Sequence, residues 1–234
     1  MCIAGGKISD QKVGAFTNQI GLEGPKRTMR QFAAHQHLFF EGDEKTHLMV
    51  ITSGWVKLYR TLINGQRQVV GFANAGSILG LEAELDQSNG CEAITAVTAY
   101  AIPVTSMTEL CRRDAAFAEQ MLRQVGRQLG AAQAQLASVG TQSADQKLAT
   151  FLMSIADLCG KDDDDEFDLP MRRGDMAEFL GLRLETVSRK MSEFQRRGWI
   201  KMSSLYHCQI VRPDVLEDLA LGGEMDGPSM LRAG

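Results

Sequence analysis

Between Arg172 and Lys201 the chain reads RRGDMAEFLGLRLETVSRKMSEFQRRGWIK, a pattern that accommodates two short helices joined by a tight turn and little else. Met176, Phe179 and Leu180 give the first helix one apolar stripe, and Gly181-Leu182 ends it, because glycine tolerates the positive φ of a helix stop. A second helix is expected from near Leu184. Its apolar residues Val187, Met191 and Phe194 recur at i, i+4 and i+7, so they share one face at about 100° per residue, turned toward the first helix. Glu185, Ser188, Arg189 and Ser192 fall in a wedge of roughly 100° on the opposite wall. Those side chains suit the reading of base edges in a major groove. Arginine grips guanine O6 and N7 with two bonds, glutamate accepts from cytosine N4, and serine serves a base or a phosphate. Glu185 and Arg189 also stand at the spacing of an ordinary surface ion pair. Against that plainer reading stands the charge: Arg172 to Lys201 holds eight basic and four acidic residues in a chain of formal net charge -4. Such a local excess is the footprint of a DNA-facing module.

The remaining composition sets bounds. At 234 residues there is room for two domains, each with its own core, and 44% apolar with 23% charged residues is ordinary for a water-soluble protein. Five cysteines, at 2, 91, 111, 159 and 208, show no C-x-x-C and no pairing pattern, which fits a reducing compartment. No signal peptide and no membrane-length apolar run is visible, so a cytoplasmic location and no membrane partner are expected.

The segment RGDMAEFLGLRLETVSRKMSEFQRRGWI resembles the helix-turn-helix of the CRP/FNR family of bacterial transcription regulators, in particular the FNR and FixK branch. Recognition helices of that branch carry E-T-x-S-R, here Glu185, Thr186, Ser188 and Arg189. The resemblance implies that Glu185, Ser188 and Arg189 contact the bases of a TTGAT half-site. Arg172, Thr186, Arg196 and Arg197 are the candidate contacts to the DNA backbone, with Lys201 also available for phosphate. It further implies a homodimer on a palindrome, activation through RNA polymerase, and a role under low oxygen, in respiration or nitrogen fixation.

Upstream, the period changes. Residues 1 to about 25 are expected to form a loose arm with a short helical turn. From Phe32 to Pro103, glycines at 42, 54, 65, 76 and 90 punctuate β-prone runs such as HLMVIT, WVKLYRT, QVVGFA and EAITAVTAYAIP. Asn64-Gly65 and Asn89-Gly90 are dipeptides favoured in hairpin turns. About eight strands in a two-sheet roll would bury the alternating apolar positions, and the family resemblance implies a jelly roll of cyclic-nucleotide-binding type here.

The roll departs from the family's ligand sites. Relatives that bind cyclic nucleotides place a glutamate after a glycine, then an arginine and a small hydroxyl residue; Leu79-Gly80-Leu81 puts leucine at the first position, and Cys91 and Glu92 fall at the others. A carboxylate there repels a phosphate, and no neighbouring guanidinium is expected to replace the clamp, so no cyclic nucleotide should bind. Iron–sulfur sensors of the family carry three N-terminal cysteines and a fourth before the Ile-Pro pair; here only Cys2 precedes the roll and the fourth position is Tyr100. His35-x-His37-x-x-x-Glu41 matches the first metal motif of cupins, but no second-motif histidine follows within the roll, and the pair reads more simply as solvated loop histidines.

From Asp114 to Val139 a helical seam appears. Leu122, Val125, Leu129, Ala132, Leu136 and Val139 step by three and four, as in a coiled coil, whereas Phe117 and Met121 are expected to pack on the roll. Self-pairing of that seam gives the candidate dimer interface. Gly140-Thr141-Gln142 reads as a hinge, and Ser143-x-x-Gln146 as a capping box that starts a helix lined by Leu148, Phe151, Leu152, Ile155 and Leu158 and closed by Gly160. The acidic run Asp162 to Glu166, with Asp168, reads as a solvated loop before a short strand over Phe167 to Met171. Trp199 to Met202 and Cys208 to Val211 suit the hairpin of a winged domain, and the tail beyond Gly222 is expected to be disordered.

The expected fold class is therefore α+β: an N-terminal arm and β jelly roll over residues 1–112, a long dimerisation helix over 113–140, a C-terminal winged helix-turn-helix over 141–222, and a tail over 223–234. No nucleophile, acid–base pair or complete metal set is visible, so neither catalysis nor a cofactor is expected. The rival reading is a redox or small-molecule sensor, acting through the roll's pocket or through Cys91, Cys111, Cys159 or Cys208. Among these, Cys208, in the basic wing, is the first candidate for a lowered pKa.

Overall fold

Among the described residues of the computed structural model, eight strands precede the first helix, and their alternation shows why the roll forms. The described residues are 27–82, 84–139, 142–159 and 166–223. The sequence readings made for the N-terminal arm, for Gly140 and Thr141, for Gly160, for 162–165 and for the tail past 223 lie outside them. Strands β1 (Thr28–Phe32), β8 (Val97–Pro103), β3 (His47–Ser53) and β6 (Ile78–Leu79) form one antiparallel sheet in that order. A second sheet runs β2 (His37–Phe39), β7 (Gly90–Ala93), β4 (Val56–Thr61), β5 (Arg67–Ala73).

The first sheet is buried on both faces. Met49 and Ile51 of β3, with Val97, Ala99 and Ala101 of β8, turn into the roll interior with Val56, Ala73, Cys91 and Ala93. The intervening Leu48, Val50 and Ile102 turn outward and meet Met107, Phe117 and Met121. Those three come from helices α1 (Val104–Arg113) and α2 (Ala115–Val139). Two-sided burial explains why HLMVIT and AIPV carry apolar residues in succession rather than in strict alternation. Sequence periodicity missed α1, which starts directly after Pro103, the last ladder residue of β8, which has no N–H to donate. The Asp114 carboxylate then accepts from the Phe117 backbone N–H at 3.0 Å and starts α2.

The two Asn-Gly pairs behave differently. Asn64-Gly65 does turn the β4–β5 hairpin: Leu62 N–H donates to Gln66 O at 2.8 Å, leaving a three-residue loop with Gly65 at φ 79°. Asn89-Gly90 makes no hairpin, contrary to the expectation from sequence. Gly90 instead opens β7 opposite Tyr59, and a Cβ there would lie 2.3 Å from the Tyr59 ring. The missing side chain makes room for a buried aromatic.

The chain divides into two compact units between Gln133 and Ala134, inside α2. In the second unit, Ser143 and Gln146 form the expected capping box, with bonds of 2.8 and 3.3 Å, at the head of α3 (Ala144–Cys159). Strand β9 (Glu166–Asp168) pairs with β11 (His207–Ile210), which pairs with β10 (Ile200–Ser204). Strand β9 is shorter than expected and begins one residue earlier. Helices α4 (Arg173–Leu180), α5 (Leu184–Arg196) and α6 (Pro213–Ala220) complete the unit. Leu148, Phe151, Leu152 and Ile155 of α3 are buried, as are Met176, Phe179, Val187, Met191 and Phe194.

Because the Tyr59 ring fills the space above Gly90, Gly90→Ala should cost about 1–3 kcal/mol through overpacking. Urea unfolding of the variant checks this, and an unchanged midpoint would refute the packing role.

Candidate nucleic-acid interface

The orientation of α5 is set by what it buries. Val187, Met191 and Phe194 are each at most 2% exposed, and the Phe194 and Trp199 rings lie 5.2 Å apart. Gly181, at φ 63°, ends α4 in the left-handed region, and its N–H donates to Ala177 O; the chain then re-enters a helix at Leu184. The Asp175 carboxylate accepts from the Arg172 N–H at 3.2 Å and caps the start of α4. These local features reproduce the two helices and turn read from the sequence.

A polar clamp that sequence periodicity did not disclose fixes the same helix. Lys190 Nζ lies 2.9 Å from Asp145 Oδ1 on α3 and 3.2 Å from Glu193 Oε2. Burial alone would lower the pKa of this ammonium, but its hydrogen bonds to Asp145 and Glu193 together outweigh that and the net shift is upward. A basic residue of the recognition segment is thereby used for positioning. No signal in the sequence marks it, since Asp145 lies 45 residues upstream.

With the apolar face fixed inward, Glu185, Ser188 and Arg189 all stand exposed on the other side. Among the described residues no ion pair joins Glu185 to Arg189, and none of the three side chains has a hydrogen-bond partner. The plain surface-pair reading is not what this helix adopts. Ser192, on the same wall, donates its hydroxyl to Ser188 O at 3.0 Å.

The candidate backbone contacts are less uniform. Arg172 and Arg196 are exposed and Thr186 is half-buried. Arg197 lies 3.5 Å from Glu193 Oε1 and stacks 5.2 Å from the Trp199 ring centre, so any phosphate must compete with those partners. On α2, Leu122, Val125 and Leu129 are 72%, 41% and 58% exposed, whereas Phe117 and Met121 are buried. The helix thus carries two apolar faces, one on the roll and one uncovered. Ala132 is half-buried, and the side chains of Leu136 and Val139 lie outside the described set.

The structure corrects several sequence readings. His37 is not a solvated loop histidine: it lies half-buried in β2, 3.9 Å from Glu92, whereas His35 stands exposed in the preceding turn, as expected, 3.5 Å from the same carboxylate. Nor does Glu92 lack a neighbouring guanidinium, since Arg67 lies 3.4 Å and Lys57 3.5 Å from its oxygens. Cross-strand pairing of β7 with β2 and β4 brings them together. Cys208 is fully buried in the wing, and burial pushes its thiol up to about 12, with Arg173 pulling the other way. Burial also raises Cys111, and lifts Cys91 well above the ordinary thiol value, with Glu92 and Glu82 adding to the latter. Thiolate chemistry at these positions is suppressed, not enhanced.

The wing also holds an unforeseen cluster. His207 Nε2 lies 2.9 Å from Glu166 and Nδ1 3.1 Å from Asp168, because β9 and β11 pair in register at His207 and Asp168. Hydrogen bonds to Glu166 and then Asp168 raise the imidazole pKa. The protonated form is therefore favoured by folding. Its stabilisation is complete below the unfolded value of roughly 6.5 and is lost as pH rises through the higher folded value.

A two-sheet roll, a long helix and a winged helix-turn-helix define a regulator of the helix-turn-helix class. Residues 29–114 match the family model of the cyclic nucleotide-binding domain, and 146–219 that of the Crp-like helix-turn-helix domain. Nitrogen fixation regulation protein FixK of Rhizobium meliloti (strain 1021) is 33% identical over 198 residues, spanning 85% of this chain and 89% of that protein. The fumarate and nitrate reduction regulatory protein of Escherichia coli (strain K12) is 29% identical over 79% of this chain and 75% of its own. Among solved structures, FixK2 from Bradyrhizobium japonicum has the same fold, with a TM-score of 0.77 over 83% of this chain and 97% of that one at 24% identity. The chain belongs to the CRP/FNR family of transcription regulators, on its FixK branch. No helix among the described residues is long and apolar enough to cross a membrane.

An NMR titration of the imidazole Cε1–H signals should place the midpoint of His207 above about 6.5. Glu166→Gln should bring it back down. A His207 midpoint at or below about 6.5 in the unaltered protein would contradict the clamp.

Proposed function

We propose that the chain is a homodimeric, sequence-specific DNA-binding regulator that reads a TTGAT-type palindrome. The observation that carries this is the outward wall of α5, where Glu185, Ser188 and Arg189 stand exposed with no side-chain partner among the described residues. Lys190 and Glu193 of the same helix are paired with each other; these three are left for another molecule. Arg189 takes guanine in two bonds, Glu185 accepts from the cytosine amino group, and Ser188 completes the contact. Arg172, Thr186, Arg196 and Arg197 hold the phosphates on either side.

The uncovered face of α2, from Leu122 through Val125 and Leu129, supports pairing with a second copy, and Ala132, Leu136 and Val139 continue the heptad in sequence. A two-fold dimer presents its recognition helices to half-sites about one DNA turn apart, roughly 34 Å. On this reading residues 113–140 form the dimerisation segment. Relatives named for nitrogen fixation and for fumarate and nitrate reduction support a part in the response to low oxygen. On this reading the protein acts as an activator that recruits RNA polymerase in the cytoplasm, and performs no catalysis.

Fluorescence anisotropy on a labelled palindrome tests the base contacts. Arg189→Ala should lose about 1–3 kcal/mol per half-site and should relax the choice at the G·C pair. Arg196→Ala should instead weaken all sequences alike and flatten the salt dependence. An equal loss on every sequence with Arg189→Ala would overturn the assignment.

A further inference from the structure

Register sorts the wing sheet into two faces. Phe167, Cys208, Ile200 and Ile210 fall on one side and are all buried. The other side carries Asp168 beside His207 and, in the next row, Glu166, Gln209 and Lys201 in line. Residues paired directly across antiparallel strands share a face, so these side chains form one polar patch.

His207 stands between two acceptors, with Nε2 2.9 Å from Glu166 Oε2 and Nδ1 3.1 Å from Asp168 Oδ1. A neutral imidazole has one N–H and one lone pair, so it donates to one carboxylate and turns a lone pair on the other. Only the imidazolium donates to both. The residue opposite it on β10 is the uncharged Ser204, and Lys201 of that strand pairs with Gln209 instead. From α3, the Cys159 thiol donates to the Asp168 backbone carbonyl at 3.1 Å, not to the carboxylate. The charge of Arg173 acts on Cys208, whose side chain lies on the buried face. With His207 protonated, two carboxylates and two cations cancel on the described outer face; loss of the proton leaves it net negative.

The hairpin is rooted on the recognition helix. Trp199 N–H donates to Phe194 O at 3.0 Å, and the Trp199 carbonyl accepts from the Val211 and Arg212 N–H groups at 2.9 and 3.0 Å. Charge on the wing is therefore held at a fixed distance from α5.

We propose that His207 is a proton switch for DNA binding: its protonated form bridges β9 to β11 and neutralises the outer wing face, and its neutral form turns net negative charge toward the phosphates and weakens the complex. The proposal rests on the DNA reading of α5. The hydrogen bonds that raise the imidazole pKa, to Glu166 first and Asp168 second, put the transition above about 6.5. Linkage works in both directions, so the bound duplex raises the His207 midpoint further.

Fluorescence anisotropy of the full chain on the labelled palindrome, at low salt and from about pH 6 to about pH 8.5, is the test. Affinity should fall by about threefold or more as the pH rises, and added salt should shrink the difference. His207→Gln, uncharged throughout, should bind at the weaker level across the range, whereas His207→Lys, charged throughout, should keep the tighter level. A flat profile in the unaltered protein, tighter binding at high pH, or a slope that survives in both variants would overturn the switch. Binding that selects the palindrome yet ignores pH sinks this inference alone; absence of binding at every pH removes the reading of α5 and the switch with it.

Discussion

Burial of one face of α5 is the constraint on which the DNA-facing surface depends. Val187, Met191 and Phe194 are turned into the core of the winged unit, and Lys190 is held to Asp145 of α3. Turning the helix by one residue, about 100°, would expose that stripe and carry charged side chains toward the interior. Both costs are large beside the few kcal/mol by which a domain is stable. The helix therefore has one allowed rotation, and in it Glu185, Ser188 and Arg189 face out. Capping by Asp175 and the left-handed turn at Gly181 fix where α4 stops and hence where α5 can begin.

The N-terminal unit obeys a related rule at larger scale. Its first sheet is sandwiched between the roll interior and the helices α1 and α2, so α2 commits one apolar face to the roll through Phe117 and Met121. The second face, with Leu122, Val125 and Leu129, stands exposed. An apolar stripe of this regularity marks an interaction surface. Within the roll, at the positions of a phosphate clamp, two histidines, a lysine and an arginine converge on Glu92, with His37 Nε2 buried and lacking a hydrogen-bond partner. That cluster engages the positive charge a phosphate would need.

Much of this was legible in the sequence because it is written in periodicity. The steps of three and four in α5 and α2, the capping box at Ser143 and Gln146, and the run of β-prone segments each depend on neighbours within a few residues. What escaped depends on pairing across the chain. Glu92 meets His37 and Lys57 only through strand register, and His207 meets Glu166 for the same reason. Gly90 has the local appearance of a turn, yet its role is set by the Tyr59 ring opposite. Cys208 stands near basic residues in sequence, but its side chain is buried in the wing, where desolvation governs its chemistry.

The most direct measurement is selection of bound fragments from random duplex DNA by the purified, metal-free protein. The expected result is an enriched two-fold palindrome with TTGAT-type half-sites spaced about one helical turn apart, obtained without any added cofactor. Recovery of no shared motif, or of a single unpaired half-site, would contradict a pair of symmetry-related recognition helices reading bases through Glu185, Ser188 and Arg189.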